Sequence, residues 1–221
     1  MRIETWLESL TQQRAIAVIR SESFAIGENM AKAVAAGGMR LIEITWNSEQ
    51  SAALIAHLRA TLPDCLIGTG TILSVGQMKE AIAVGAQFLF TPHVEPVLIQ
   101  LAREHDLPIV PGALSPTEIV QAWQAGAPTV KVFPAQAMGG AEYIRSLQGP
   151  LGQIPLIPTG GVTVENAPEF LRAGAIAVGL AGSLFSPKVV QQQDWNAITQ
   201  QAQTLVARLT QNSPASICRK S

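Results

Sequence analysis

Ala125-Gly126-Ala127-Pro128-Thr129-Val130-Lys131-Val132-Phe133-Pro134 sets the reading of the whole chain. A helix-like stretch ends at the glycine, and a short apolar run follows it. The run at 129–133 is too short for a helix and rich in β-branched residues, so it reads as a buried strand. Lys131 stands in its middle. Burying an ammonium is costly, so a lysine seldom occupies such a place without a partner or a task. Burial lowers its pKa and yields a neutral amine near pH 7, which is what imine chemistry requires. The plainer alternative is a lysine paired with a buried carboxylate, or one that snorkels from a strand end.

The same grammar of helix, glycine and strand recurs at 36–44, 84–90 and 173–179. Gly37 and Gly126 are 89 residues apart, and so are Gly85 and Gly174, which points to two similar halves. Each of these four glycines is expected to close its helix in the left-handed conformation. Further strands are predicted at 15–20, 65–68, 108–111 and 155–158, which makes eight. Helices are predicted at 48–62, 74–84, 94–105, 116–125 and 194–209. Eight alternating units in a chain of 221 residues predict an α/β fold, a compact (β/α)8 TIM barrel. An extra N-terminal helix within 1–14 is expected to cover the barrel bottom. A doubly wound open sheet is the competing arrangement. It would show fewer strands and a glycine-rich turn after the first, whereas this strand ends Ile19-Arg20-Ser21-Glu22. No linker breaks the pattern, so 1–221 is expected as a single domain with a loose tail at 212–221.

The composition is 48% apolar and 14% charged, that of a well-buried globular chain. The net charge is -1 with no basic stripe, which argues against nucleic acid as a partner. No apolar run is long enough to span a bilayer, so no membrane association is expected. The start, Met1-Arg2-Ile3-Glu4-Thr5-Trp6-Leu7-Glu8, carries acids and no apolar h-region, so it does not read as a signal peptide and a cytoplasmic location is expected. Cys65 sits in an apolar strand and Cys218 in a polar tail, which disfavours a disulfide between them.

Barrel active sites lie at the C-terminal ends of the strands. Strand side chains alternate faces. If Ile42 and Ile44 face the helices, then Leu41, Glu43 and Thr45 point inward. If Val130 and Val132 face the helices, then Thr129, Lys131 and Phe133 point inward. Lys131 and Glu43 therefore converge on one cavity. A purely structural Lys–Glu pair is the alternative, although desolvation often cancels the attraction in such pairs. A neutral lysine can attack a ketone, and Glu43 is the carboxylate available to move protons. Phe133 would help to keep the amine desolvated.

Thr159-Gly160-Gly161 and Gly182-Ser183 follow the seventh and eighth strands, where barrels usually cradle phosphate. Glycines let backbone N–H groups approach an anion, and a short helix opening at Ser183 would favour its charge. Gly68-Thr69-Gly70-Thr71 is placed to hold a keto-acid carboxylate through N–H groups and the Thr71 hydroxyl. His57, His93 and His105 lack metal-ligand spacing, so no metal and no cofactor is expected. His57 and His105 read as helix-surface residues.

These motifs resemble the bacterial KHG/KDPG aldolases, class I enzymes with a barrel fold. The resemblance runs from about residue 10 to 209 in the same motif order. It rests on Glu43-Ile44-Thr45, Gly68-Thr69-Gly70-Thr71, Val130-Lys131-Val132-Phe133-Pro134-Ala135, Pro158-Thr159-Gly160-Gly161-Val162 and Gly182-Ser183. It implies cleavage of 2-dehydro-3-deoxy-6-phosphogluconate to pyruvate and glyceraldehyde 3-phosphate, and in some members of 4-hydroxy-2-oxoglutarate to pyruvate and glyoxylate. By the resemblance Lys131 forms the Schiff base, Glu43 shuttles protons, and Thr71 and Pro92 line the pyruvate pocket. Phe133 packs on the imine, and Gly160, Gly161 and Ser183 hold the phosphate of a phosphorylated ketoacid in a homotrimer.

Several members carry an arginine four residues after the glutamate, against the substrate carboxylate. Here that position is Asn47, and Arg20 is the candidate replacement cation. Relatives acting on the galactonate epimer also lack the arginine, whereas Thr159 matches the gluconate-type members. Two other readings stay open beside the aldolase. One is a phosphosugar epimerase using Lys131 and Glu43 without an imine. The other is a non-catalytic phosphometabolite-binding protein.

Overall fold

The computed structural model describes residues 2–211. The expected tail at 212–221, with Cys218, lies outside the described residues. In chain order the elements are α1 (Ile3–Gln13), β1 (Ala15–Ile19), α2 (Phe24–Ala36), β2 (Leu41–Thr45), α3 (Ser51–Thr61), β3 (Leu66–Gly70), α4 (Val75–Ala83), β4 (Leu89–Phe90) and α5 (Pro96–Glu104). There follow β5 (Ile109–Val110), β6 (Gly112–Ala113), α6 (Pro116–Gln124), β7 (Val130–Val132), a 3-10 turn (Gln136–Met138) and α7 (Ala141–Leu151). The chain continues through β8 (Leu156–Pro158), α8 (Ala167–Arg172), β9 (Val178–Leu180), α9 (Pro187–Gln191) and α10 (Trp195–Gln211).

Local chemistry explains the helix starts. Ser23, Ser74 and Ser115 each accept a hydrogen bond from a backbone N–H in the first turn of the helix they open. At α6 the Glu118 side chain reaches back to the cap, and Pro116 supplies a preset φ in the first turn.

The strands pair in parallel, as a curled six-stranded sheet in the order β5-β4-β3-β2-β1-β9 and a three-stranded sheet β6-β7-β8. Pro111 alone separates β5 from β6. Proline has no N–H to donate, so the ladder is interrupted there. Its carbonyl still accepts from Lys131 N at 2.8 Å. Across the other gap, Thr159 bridges Gly179, and Ile176 N donates to Leu156 O. The architecture is thus an α/β fold on a curled parallel sheet with helices outside it.

The two strand faces divide as alternation predicts. Ile42, Ile44, Val130 and Val132 belong to the larger core shared with the helices. Leu41, Ile16, Phe88, Phe90 and Ile157 form a second core inside the curl. Helix α1 inserts Trp6 and Leu10 into that inner core, both fully buried. Trp6 stacks on Phe88 with ring centroids 4.9 Å apart and donates Nε1–H to Thr129 Oγ1 at 3.3 Å. The expected covering helix is therefore a plug.

Two local expectations are corrected. Gly85, Gly126 and Gly174 do close helices at positive φ, but Gly37 has φ -76, and the left-handed residue after α2 is Gly38. Met39 N donates to Val34 O across that turn, completing a two-residue C-cap. Gly37 is needed for another reason: a Cβ there would stand 2.4 Å from Ala202 Cβ on α10. Residues 183–185 form a turn, not a helix, and α9 starts at Pro187. The residue before a proline is driven out of the helical region, and Ser186 is extended and caps α9 instead.

Candidate active site

The C-terminal ends of the strands open on a cavity of about 520 Å³. Lys131, Glu43, Arg20, Thr71, Pro92, Phe133, Thr159, Gly160, Gly161, Gly182 and Ser183 all line it. These sequence-assigned residues are thus brought to one place. A larger surface hollow of about 710 Å³, lined by Arg2, Arg103, Asp106 and Gly126 among others, includes none of them.

Lys131 occupies the centre of β7, paired with Gly112 of β6 and Ile157 of β8. It is 9% exposed. Its Nζ lies 4.6 Å from the Phe133 ring centroid and 5.9 Å from that of Phe90. Burial pushes the amine below its ordinary pKa; Glu43 opposes this, and Arg20 reinforces it. Glu43, on β2, is 2% exposed. Burial pushes its carboxyl above the usual range, against the pull of Lys131 and Arg20. Both displacements run toward an uncharged pair, a free amine beside a protonated carboxyl. That is the state from which an amine can attack a carbonyl while an acid supplies a proton.

Glu43 fits only because its neighbour in β3 has no side chain. A Cβ on Gly70 would stand 1.7 Å from Glu43 Oε1. Thr71 follows at φ 61, a left-handed conformation that costs about 1–2 kcal/mol for a β-branched residue. The strain sets Thr71 in the cavity wall. Thr69 does not share this role, because its hydroxyl donates to Ile44 O at 2.7 Å behind the sheet. Of Gly68-Thr69-Gly70-Thr71, only Thr71 lines the cavity.

Opposite, Gly160 and Gly161 are both at positive φ, and a Cβ on Gly161 would stand 2.2 Å from Gln136 Cβ. Ser183 Oγ accepts from Val164 N at 3.1 Å, which ties the two glycine loops together and leaves its proton to donate. Thr159 Oγ1 is buried without a partner, set against Gly179, where a Cβ would lie 2.5 Å from it. Without the helix expected at Ser183, the glycine loops offer an anion backbone N–H groups and a hydroxyl, and Arg20 lines the same cavity.

Asn47 is exposed and does not line the cavity. His57 is half-buried on α3, 2.8 Å from Glu28, which also pairs with Lys32. No group of three or more His, Cys, Asp or Glu residues placed to hold a metal occurs among the described residues. Sequence reasoning did not assign Val18, Thr45, Val162, Thr163, Glu165, Gly179 or Ala181 to the site, although they line it. Thr45 had a usable signal, since alternation places it on the inward face two residues beyond Glu43. Glu165 had none.

The chain matches a family model described as KDPG and KHG aldolase over residues 7–201. It is 36% identical to a 2-dehydro-3-deoxy-phosphogluconate aldolase of Haemophilus influenzae over 193 residues, 87% of this chain and 91% of that one. It is 32% identical to the KHG/KDPG aldolase of Escherichia coli, over 80% of this chain and 83% of that one. Its fold is similar to that of a KDPG aldolase from Legionella pneumophila solved with pyruvate captured as a covalent carbinolamine. That match has a TM-score of 0.83, 27% identity, and coverage of 90% of this chain and 97% of the other. A buried lysine and glutamate in one cavity, glycine loops facing them, and this likeness across most of the chain lead to one conclusion: the chain belongs to the KDPG and KHG aldolase family.

Proposed function

We propose that this chain is a lyase, a class I aldolase cleaving 2-dehydro-3-deoxy-6-phosphogluconate to pyruvate and glyceraldehyde 3-phosphate. The observation that carries this is the buried Lys131–Glu43 pair, displaced toward its uncharged state in a cavity open at one end. The neutral Nζ of Lys131 attacks the C2 carbonyl. The Glu43 carboxyl gives its proton to the departing hydroxyl, water leaves, and an iminium forms. The Glu43 carboxylate then takes the proton of the C4 hydroxyl, and the C3–C4 bond breaks. Its electrons flow into the iminium to give an enamine, and the aldehyde departs. Protonation of the enamine at C3 and hydrolysis release pyruvate and the free lysine.

Thr71 and Pro92 flank the pyruvate half, and Phe133 keeps water from the imine. Gly160, Gly161, Gly182 and Ser183 take the phosphate, and Arg20 is the candidate cation for the arginine absent at Asn47. 4-Hydroxy-2-oxoglutarate, with a carboxylate where the longer substrate carries phosphate, fits the same reading as a second substrate.

The two sheets are read as one (β/α)8 ring, with β5 and β6 a single strand interrupted at Pro111, in a single domain. A homotrimer fits the exposed Leu73 and Val97 at the heads of adjacent helices α4 and α5. A cytoplasmic location accords with the lack, among the described residues, of any helix long and apolar enough to cross a membrane.

Borohydride with pyruvate is the test. It should add a stable mass to the peptide carrying Lys131. No adduct, or an adduct elsewhere, would reject the mechanism. The galactonate epimer is the second reading, favoured by Asn47. Thr159, which lines the cavity and matches the gluconate-type members, favours the gluconate. A coupled assay of both epimers beside 4-hydroxy-2-oxoglutarate decides between them. Epimerisation of a phosphosugar without trapping, or sugar-phosphate binding without turnover, would instead support the non-aldolase readings.

A further inference from the structure

The cationic side chains lining the cavity are Arg20 and Lys131, and the β2–α3 loop contributes none. That loop carries a pair of buried hydroxyls instead. Thr45, the last residue of β2, lines the cavity, and its Oγ1 lies 3.1 Å from Ser48 Oγ. Ser48 Oγ also accepts from Ser21 N at 3.2 Å. Two backbone bonds fix the same junction, Ser48 N to Thr45 O at 2.9 Å and Glu49 N to Ser21 O at 3.0 Å. The loop is therefore sewn to the end of β1, one residue beyond Arg20.

A hydroxyl has one proton to give and two lone pairs to offer. If Thr45 donates to Ser48, the Ser48 proton finds no acceptor among the described residues, at a residue only 7% exposed. If Ser48 donates to Thr45, both Ser48 bonds are satisfied and the Thr45 proton is free to face the cavity. The second arrangement leaves the unused donor where a ligand oxygen can take it. Either arrangement leaves one hydroxyl proton over, and only Thr45, 2% exposed but lining the cavity, can pass it to a bound ligand oxygen; ligand binding therefore selects the second arrangement.

Position names the oxygen. Thr45 follows Glu43 by two residues on the same face, about 7 Å along the strand. It pairs in register with Gly70, which places it beside Thr71. The glycine loops after β8 and β9 lie beyond β1, on the other side of Arg20. The ligand group nearest Thr45 is thus the one bonded to the carbonyl carbon that Lys131 attacks.

We infer that Thr45 donates its hydroxyl to the carboxylate of the bound 2-keto acid, and that Ser48 is the positioning residue that turns it there. The inference rests on the aldolase reading and deepens it. Asn47 leaves this end of the site without a local cation, and the hydroxyl pair with Thr71 takes over carboxylate recognition.

The experiment measures borohydride trapping on Lys131 of the full chain as a function of pyruvate concentration, read by intact mass. Thr45→Val should raise half-saturating pyruvate roughly tenfold, as for a lost hydrogen bond to a charged group, with trapping still complete at saturation. Ser48→Ala should act in the same direction, and Ser48→Thr should restore the parent value. The double variant should be no worse than Thr45→Val alone, because both remove one interaction. The KM for glyceraldehyde 3-phosphate in the condensation direction should not move. Unchanged half-saturation in Thr45→Val, or additive effects in the double variant, would overturn the assignment. If Thr45→Val does not fold, the contrast between Ser48→Ala and Ser48→Thr decides alone. No adduct on the parent chain would overturn the aldolase reading itself, and this inference with it.

Discussion

Gly70 and Glu43 share one volume: the Glu43 carboxylate occupies the space that a side chain at position 70 would fill. The two residues lie on neighbouring strands, with Glu43 itself paired to Gly68 and Gly70 to Thr45. A methyl at 70 must displace Glu43, since it would meet Oε1 at 1.7 Å. Gly70→Ala is expected to lower turnover roughly a hundredfold, the scale of an ångström-sized misplacement of a reacting group. Steady-state cleavage assays should show the fall in kcat exceeding any rise in KM.

Lys131→Met should abolish both cleavage and borohydride trapping. Methionine fills a similar volume without a buried amine, so stability should be unchanged or raised. Urea denaturation of the variant checks this. A large loss of stability would reassign Lys131 as a structural ion-pair partner.

The displaced pair makes stability depend on pH in two opposite senses. For Glu43 the native pKa lies above the unfolded value of about 4.5, so between the two the native state holds the extra proton. Stability therefore falls as pH rises through that window. For Lys131 the native pKa lies below the unfolded value of about 10.5, so between the two the unfolded chain holds the extra proton. Stability therefore rises with pH through that second window. Urea midpoints measured across pH should lose the falling limb in Glu43→Gln and the rising limb in Lys131→Met. Imine formation needs the free amine, so the trapping rate should climb with pH and level off below pH 10.5.

Trp6→Ala should destabilise the chain by about 3–5 kcal/mol, the usual cost of truncating a fully buried aromatic. The Thr129 hydroxyl also loses its donor. Denaturant titration gives the figure. A change below about 1 kcal/mol would mean that α1 merely rests against the curled sheet.

Much of this was written in local pattern. The alternation through Ile42-Glu43-Ile44 and Val130-Lys131-Val132 is enough to send Glu43 and Lys131 to one interior, because a strand turns successive side chains to opposite faces. The glycine loops announced themselves by composition. The Thr45–Ser48–Ser21 junction did not. It joins residues up to 27 apart, and its bonds depend on how two loops meet, which no periodicity records. The left-handed turn at Gly38 rather than Gly37 escaped for a related reason: in a pair of glycines only packing against Ala202 decides which must be bare and which must bend. The helix expected at Ser183 failed because Pro187 governs the next start. The split at Pro111 fell on the last residue of a predicted strand, and the pairing resumes at Gly112–Ala113, a glycine and an alanine that carry no strand pattern.

The stopper formed by Trp6, Leu10 and Phe88 fills the inside of the curl with hydrocarbon, apart from the reaction chamber. Phe133, 39% exposed, and the glycine loops line the chamber at the strand C-terminal end. On the proposed mechanism a hydrogen ion lifted from the C4 oxygen of a phosphorylated guest is held on Glu43, deep in that chamber, until the carbon that must receive one next takes it.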